Sequence, residues 1–245
     1  MVEVISFLDV IRFFTGFSIL FYASYTDIKT RRAPNMLWII MGSIGCVLLG
    51  IQFMIDGFGD QLIYLIFIPI MIGLMYLFFQ LRLIFGGADA KAIMTLAILT
   101  PLFPFQIGSN FPLHRSIMPF SWVVFSNSIL LFLCIPLSLL ILNIIKKNIK
   151  FPHCFIGYKV TIKKAKETFV WPLERIIDGK LRFSYVPHAF DASDQLTLFE
   201  KKGYKKIWVT PKIPFMIPLL VGFILSFILG DIMTHLMNML TSSFI

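Results

Sequence analysis

Pro119–Ile145, PFSWVVFSNSILLFLCIPLSLLILNII, runs without a single acidic or basic side chain. A bilayer core about 30 Å thick is crossed by roughly 20 apolar residues rising about 1.5 Å each, so this stretch is long enough to span it. Five further apolar runs flank it, approximately Phe7–Thr26, Asn35–Ile55, Gln61–Phe79, Ala90–Phe105 and Ile213–Leu236. The pattern predicts a membrane all-α bundle of about six transmembrane helices. The fourth run is short and contains Pro101 and Pro104, which predicts a partial or tilted span inside the bundle. Pro34, just ahead of the second run, suits a first helical turn.

Composition agrees with a membrane protein. Of 245 residues, 58% are hydrophobic and 14% charged, with a mean hydropathy of +0.84. Soluble domains carry charge at about 25% of positions, so a water-soluble fold is excluded. A net charge of +9 would suggest a nucleic-acid partner in a soluble chain. Here most of the bases fall in one polar segment between spans, and no nucleic acid is expected. Cys46, Cys134 and Cys154 form no C-x-x-C and are odd in number, which argues against a disulfide framework or a zinc site and reads as three buried apolar residues. His114, His153, His188 and His235 are scattered, so no metal and no other cofactor is expected. The start of the chain, with Glu3 and Asp9, lacks the basic n-region and small-residue site of a cleavable signal, so the first helix is expected to remain.

Basic residues favour the cytoplasmic side of short loops. Lys29, Arg31 and Arg32 follow the first helix, and Arg82 and Lys91 flank the start of the fourth. The Asp56–Asp60 loop has no base, and the Gln106–Met118 loop has only Arg115. This predicts a multi-pass cell-membrane protein with both termini outside and the basic loops in the cytoplasm. Lys146–Lys212 carries fifteen bases against six acids. Within it Ile156, Tyr158, Val160 and Ile162 alternate with more polar residues, as do Leu181, Phe183 and Tyr185 after the Asp178-Gly179 turn signal. A small cytoplasmic β-containing domain is therefore predicted between helices 5 and 6, held near anionic headgroups. The organisation reads as a membrane domain over 1–145, a soluble domain over 146–210 and a C-terminal transmembrane helix over 211–245.

Four acids, Asp9, Asp27, Asp89 and Asp231, lie in or at the ends of apolar helices, where an ionisable group is costly. Helix 1 runs inward and ends at Asp27, while helix 4 runs outward from just after Asp89, so both carboxylates are expected at the cytoplasmic face. Two carboxyls sharing a proton can activate water. One, ionised, takes a proton from the water, and the other, protonated, polarises the scissile carbonyl. Taken singly, each Asp reads as a boundary marker, a helix cap or a partner of Lys29, Arg31 or Lys91, and Gly86-Gly87 as a plain turn.

The local context of the two residues decides between these readings. Asp27-Ile28-Lys29-Thr30-Arg31-Arg32-Ala33-Pro34-Asn35 resembles the first signature of type IV prepilin peptidases, and Gly86-Gly87-Ala88-Asp89-Ala90-Lys91 resembles the second, G-x-G-D with a Lys two residues on. Ile207-Trp208-Val209-Thr210-Pro211-Lys212-Ile213-Pro214 is similar to archaeal preflagellin peptidases. The resemblance implies an aspartic endopeptidase with Asp27 and Asp89 as its catalytic pair, supported by the Gly86, Gly87 and Ala88 loop. It implies, as partners, precursors of archaellins or type IV pilin-like subunits, each with a short basic leader removed at the cytoplasmic face just before a hydrophobic helix. Ala88 stands where the usual motif has its second glycine, which makes a positive φ there unfavourable. The paired C-x-x-C motifs of the bacterial enzymes that also N-methylate are absent, so no methyltransferase activity is expected.

Lys91 reads as a lysine snorkelling to the interface, and Arg82, Lys29, Arg31 and Arg32 as orientation signals. The alternative reading is a proton-coupled small transporter with paired intramembrane acids, but inverted repeats and mid-membrane polar residues are lacking. The signal-peptide-peptidase and presenilin group also uses a G-x-G-D motif, yet needs a C-terminal Pro-Ala-Leu that this chain does not have.

Overall fold

The computed structural model describes every residue except 1, 58, 82, 84–85, 105–115, 117, 178–179, 185–191, 213 and 243–245. Arg82, His114, Arg115, His188, Tyr185, the Asp178-Gly179 turn and most of the Gln106–Met118 loop lie outside the described residues. The chain begins with α1 (Val2–Thr30) and α2 (Asn35–Asp56), followed by a 3-10 segment (Gly59–Ile66), α3 (Phe67–Gln80), α4 (Gly87–Leu99), α5 (Phe120–Phe132) and α6 (Cys134–Ile145). A mixed region follows, with α7 (His153–Ile156), β1 (Tyr158–Thr161), α8 (Ile162–Glu167), β2 (Val170–Pro172), β3 (Glu174–Ile177), β4 (Lys180–Phe183), α9 (Ala192–Lys201) and β5 (Lys206–Pro211). It closes with α10 (Met216–Ile228) and α11 (Ile232–Ser242). Among the described residues, four segments are long and apolar enough to cross a membrane: Val4–Thr30, Asn35–Ile55, Leu62–Gln80 and Phe120–Ile145.

Several apolar runs are divided where local chemistry demands it. Pro69, in the first turn of α3, cannot donate to the carbonyl four residues back, and the chain before it takes 3-10 geometry. The Pro119–Ile145 run changes from α5 to α6 at Leu133, three residues ahead of Pro136. The expected helix Ile213–Leu236 is two helices. Gly230, at φ 75°, ends the first in a left-handed turn, and Asp231 starts the second by accepting from the N–H (3.1 Å) and hydroxyl (2.7 Å) of Thr234. The fourth run ends at Leu99, because Pro101 disfavours helical geometry at Thr100.

The contacts separate two compact units, 1–132 with 214–245, and 133–213. In the first, α4 packs against both α2 and α3, and α10 packs against α5 and α1. Burial follows from this. Ala90, Ala92, Ile93, Leu96, Ala97 and Leu99 of α4 are all buried, so this short helix is screened from lipid by its neighbours. A Cβ at Gly45 would sit 2.9 Å from the backbone N and Cα of Leu99, so only glycine lets α2 and α4 cross this closely. The outward faces carry Phe14, Phe21, Val47 and Ile70, as contact with hydrocarbon requires. Cys46 and Cys134 also face outward, and only Cys154 is buried. The expectation of three buried cysteines is corrected, because an apolar side chain in a membrane helix can face lipid instead of protein.

A charge hidden from the hydropathy pattern lies in α1. Arg12 donates to Asp9 Oδ1 (2.7 Å) and to Gln52 Oε1 of α2 (2.7 Å), with both side chains of the ion pair almost fully buried.

In the second unit, three antiparallel strands lie in the order β1-β5-β2, and β3 pairs with β4 in a separate hairpin. Strand β1 is shorter than the alternation suggested. Ile156 belongs to α7 and Ile162 opens α8, where Thr161 caps the helix by accepting from Lys164 N–H (3.4 Å). Val160, Ile162, Ala165, Val170, Leu196, Phe199, Ile207 and Val209 form the core. His153 packs on Phe183 (ring centroids 3.6 Å) and Trp208 (5.7 Å). Burial, and then the nearby Lys150 charge, hold it below its ordinary pKa of 6.5. The fold thus favours neutral His153, and that contribution is complete above pH 6.5 and is lost as pH falls towards the lower folded value. Denaturant melts of the intact protein followed by Trp fluorescence should show the unit weakening from pH 7.5 to 5.5. In a His153→Phe variant that contribution should vanish.

Candidate active site

Asp27 sits in the last turn of α1, which ends when Arg31 turns left-handed at φ 56° and returns its N–H to the Asp27 carbonyl (2.9 Å). The same turn brings the Arg31 charge into electrostatic contact with the Asp27 carboxyl. One turn earlier, Ser24 donates to the Met216 carbonyl (3.0 Å), fixing the end of α1 to the start of α10.

Asp89 is the third residue of α4. Gly86 precedes the helix in extended geometry, and its carbonyl accepts from Asp89 N–H (3.1 Å) and Ala90 N–H (3.2 Å). None of Gly86, Gly87 and Ala88 has a positive φ, so Ala88 is unstrained where the usual motif has glycine. The glycine with a steric role is Gly86. A Cβ there would collide with Asp89 Oδ2 and lie 2.8 Å from its Cγ, whereas one at Gly87 would meet only the Phe79 ring at 3.4 Å. Both carboxyls are half-buried, and the Asp27 charge acts on Asp89 directly. Residues 62 positions apart thus act on one another through their charges within this unit.

One contact here lies outside what the sequence predicts, and a second agrees with it. Lys91, read as a snorkelling residue, is exposed and donates to Asn35 Oδ1 at the start of α2 (2.9 Å), a bond that joins the two signature stretches. Arg31, read both as an orientation signal and as a candidate partner of Asp27, acts on that carboxyl, as their four-residue spacing along a helix end allows. Asp9 and Asp231 are not part of this cluster. The first pairs with Arg12, and the second caps α11. Among the described residues, no group of three His, Cys, Asp or Glu side chains is arranged to hold a metal.

The sequence profile of the type IV leader peptidase family matches residues 14–144, a span that includes both Asp27 and Asp89. The chain belongs to the type IV leader peptidase family. A second profile, the archaeal peptidase A24 C-terminus type II, matches residues 149–232. The chain is 28% identical over 209 residues to a preflagellin peptidase of Methanococcus voltae, covering 81% of this chain and 86% of that one. It is 29% identical over 213 residues to the preflagellin peptidase of Methanococcus maripaludis, with the same coverage. Against that of Methanocaldococcus jannaschii it is 27% identical over 223 residues, covering 84% and 88%. Membership in the leader peptidase family, together with the apolar helices, makes this chain a multi-pass membrane peptidase.

Proposed function

We propose that this leader peptidase is an aspartic endopeptidase that removes short basic leaders from preflagellin or type IV pilin-like precursors at the cytoplasmic face, with Asp27 and Asp89 as its catalytic pair and no methyltransferase activity. What supports this reading is the placing of both half-buried acids at helix ends of one unit, the end of α1 and the start of α4, with the charge of Asp27 acting on Asp89. Such a pair holds one proton between its members. The ionised carboxylate takes a proton from a bound water, whose oxygen attacks the scissile carbonyl, while the protonated partner donates to the carbonyl oxygen. Collapse of the tetrahedral intermediate then returns a proton to the leaving amine. The reaction needs an extended substrate backbone, whereas a hydrophobic segment in lipid is helical, so cleavage falls just before that helix. In this reading α4 and α10 complete six spans, residues 1–145 form the catalytic membrane part, 146–210 face the cytoplasm, and 211–245 return to the membrane.

The test mixes vesicles containing the protein with a precursor that carries a basic leader ahead of an apolar helix, and weighs the products by mass spectrometry. Cleavage at the leader junction in inside-out vesicles is expected; an intact precursor in both vesicle orientations and in detergent would overturn the reading. Gly86→Ala should lower turnover on the order of 10²-fold, because the added methyl displaces the Asp89 carboxyl by rotating it. Gly87→Ala should remain near wild type, and equal losses in the two variants would refute this role for Gly86.

A further inference from the structure

Outside α6, the second unit leaves its apolar side chains exposed unevenly. Phe151, Ile149 and Phe169 are 79%, 64% and 53% exposed, whereas Leu181, Leu198, Tyr204 and Ile177 do not exceed 45%. The strand register puts Phe169 at one particular end of the sheet. Strand β1 starts at Tyr158 opposite Val209, and β2 starts at Val170 opposite Pro211, so both begin beside the last residues of β5. Lys212, next in the chain, donates its N–H to the Phe169 carbonyl (2.9 Å).

Ile149 and Phe151 lie where α6 ends. Lys147 takes a left-handed conformation at φ 53°, and Asn148 N–H closes back on the Asn143 carbonyl (2.9 Å), so the helix stops sharply. The buried Asn143 side chain donates to the carbonyls of Cys154 (2.9 Å) and Gly157 (2.7 Å). These bonds tie α6 to the connector that enters β1 at Tyr158. Lys146 Nζ stands 5.5 Å from the Tyr158 ring, and Lys212 Nζ 5.3 Å from the Trp171 ring. Between residues 133 and 166 the sequence has no acid. One end of the sheet therefore combines exposed apolar side chains with lysines that make no ion pair among the described residues, and it is tied to a helix whose own face (Leu133, Leu137, Ile141, Ile144) is exposed and apolar.

We propose that this end of the unit docks on an anionic bilayer surface, with Ile149, Phe151 and Phe169 entering the boundary between headgroups and acyl chains and Lys146, Lys147, Lys150 and Lys212 binding lipid phosphates. Aromatic and aliphatic anchors ringed by lysines suit that boundary, since the rings enter hydrocarbon while ammonium groups extend to the headgroups. An aqueous surface has no comparable use for three such apolar side chains together. The tie through Asn143 sets the depth, because α6 leaves the hydrocarbon at the same level as the sheet end it carries.

The full chain, with Cys46 and Cys134 replaced by serine, is spin-labelled at Phe151→Cys or Phe169→Cys and placed in nanodiscs with or without phosphatidylglycerol. Collisions with oxygen should exceed those with a water-soluble nickel chelate several-fold at both positions in anionic discs, and the reverse should hold for a label at Lys202. Lys146→Gln, Lys147→Gln, Lys150→Gln and Lys212→Gln together should remove the difference between anionic and neutral discs. Labels at 151 and 169 that collide mainly with the chelate would show a solvated surface. Labels shielded from both reagents would show a protein cover, and either result overturns the proposal.

Discussion

Asp89→Asn and Asp27→Asn are each expected to lower the rate of leader cleavage by about 10²- to 10⁴-fold, the range supplied by a positioned acid or base. The substitution keeps the size of the side chain and removes its ability to hold or accept the shared proton. Because the two carboxyls act as one unit, the double variant should be hardly slower than either single variant. Substrate binding should change far less than turnover, since asparagine preserves shape and most hydrogen-bonding capacity. Initial rates on a purified precursor, with binding of the uncleaved precursor measured in parallel, supply the check. A single variant that keeps more than a tenth of wild-type turnover would remove that residue from the pair. A double variant slower by the product of the single effects would mean that the two act independently.

Arg12→Leu should have the largest effect on stability. The guanidinium bonds Asp9 within α1 and Gln52 of α2 at 2.7 Å each, inside an apolar bundle. Removing one partner of a buried pair leaves the other charge without compensation, at a cost of about 3–5 kcal/mol. Replacing both Asp9 and Arg12 by leucine should recover most of the loss, because no charge then remains buried. Eighteen residues of helix separate Asp9 from Asp27, about 27 Å at the helical rise. The folded fraction of the single variant should therefore keep its turnover number. Unfolding in mixed micelles, titrated with a denaturing detergent, measures the loss, and a shift under about 1 kcal/mol would mean that the pair is solvated.

The existence of the apolar helices was plain in the sequence, because each needs only a long run of one character. Their interruptions were less visible. Leu133 and Leu229 are as apolar as their neighbours, and the breaks depend on Pro136 and on the Gly230-Asp231 pair, whose stop-and-start signal is swamped by the hydropathy around it. Arg12 is hidden for the opposite reason, since one base in an apolar run carries a signal only together with Asp9, its partner one turn back. At the candidate site, the two aspartates stood out by chemistry and by the resemblance of their surroundings. The Lys91–Asn35 bond joins residues 56 apart, and only the folded chain shows which side chain a long flexible lysine reaches. Alternation alone draws Ile156 and Ile162 into a strand, because it cannot register where the backbone turns helical on either side of Tyr158–Thr161.

The brevity of α4 bears on the bilayer itself. Thirteen residues rise about 20 Å, well short of a hydrocarbon core of about 30 Å. At the C-terminal end the deficit is met from within: Thr100 bonds the Leu96 carbonyl through its N–H (2.8 Å) and its hydroxyl (3.0 Å), and Phe120 N–H meets the Pro101 carbonyl (3.3 Å). Among the described residues of this turn, these bonds pair the backbone groups of Thr100 and Phe120 within the protein, as a non-helical stretch beside hydrocarbon requires. The helix that carries Asp89 is thereby insulated from the lipid by the neighbours that bury it, and those longer helices alone meet the full thickness of the bilayer.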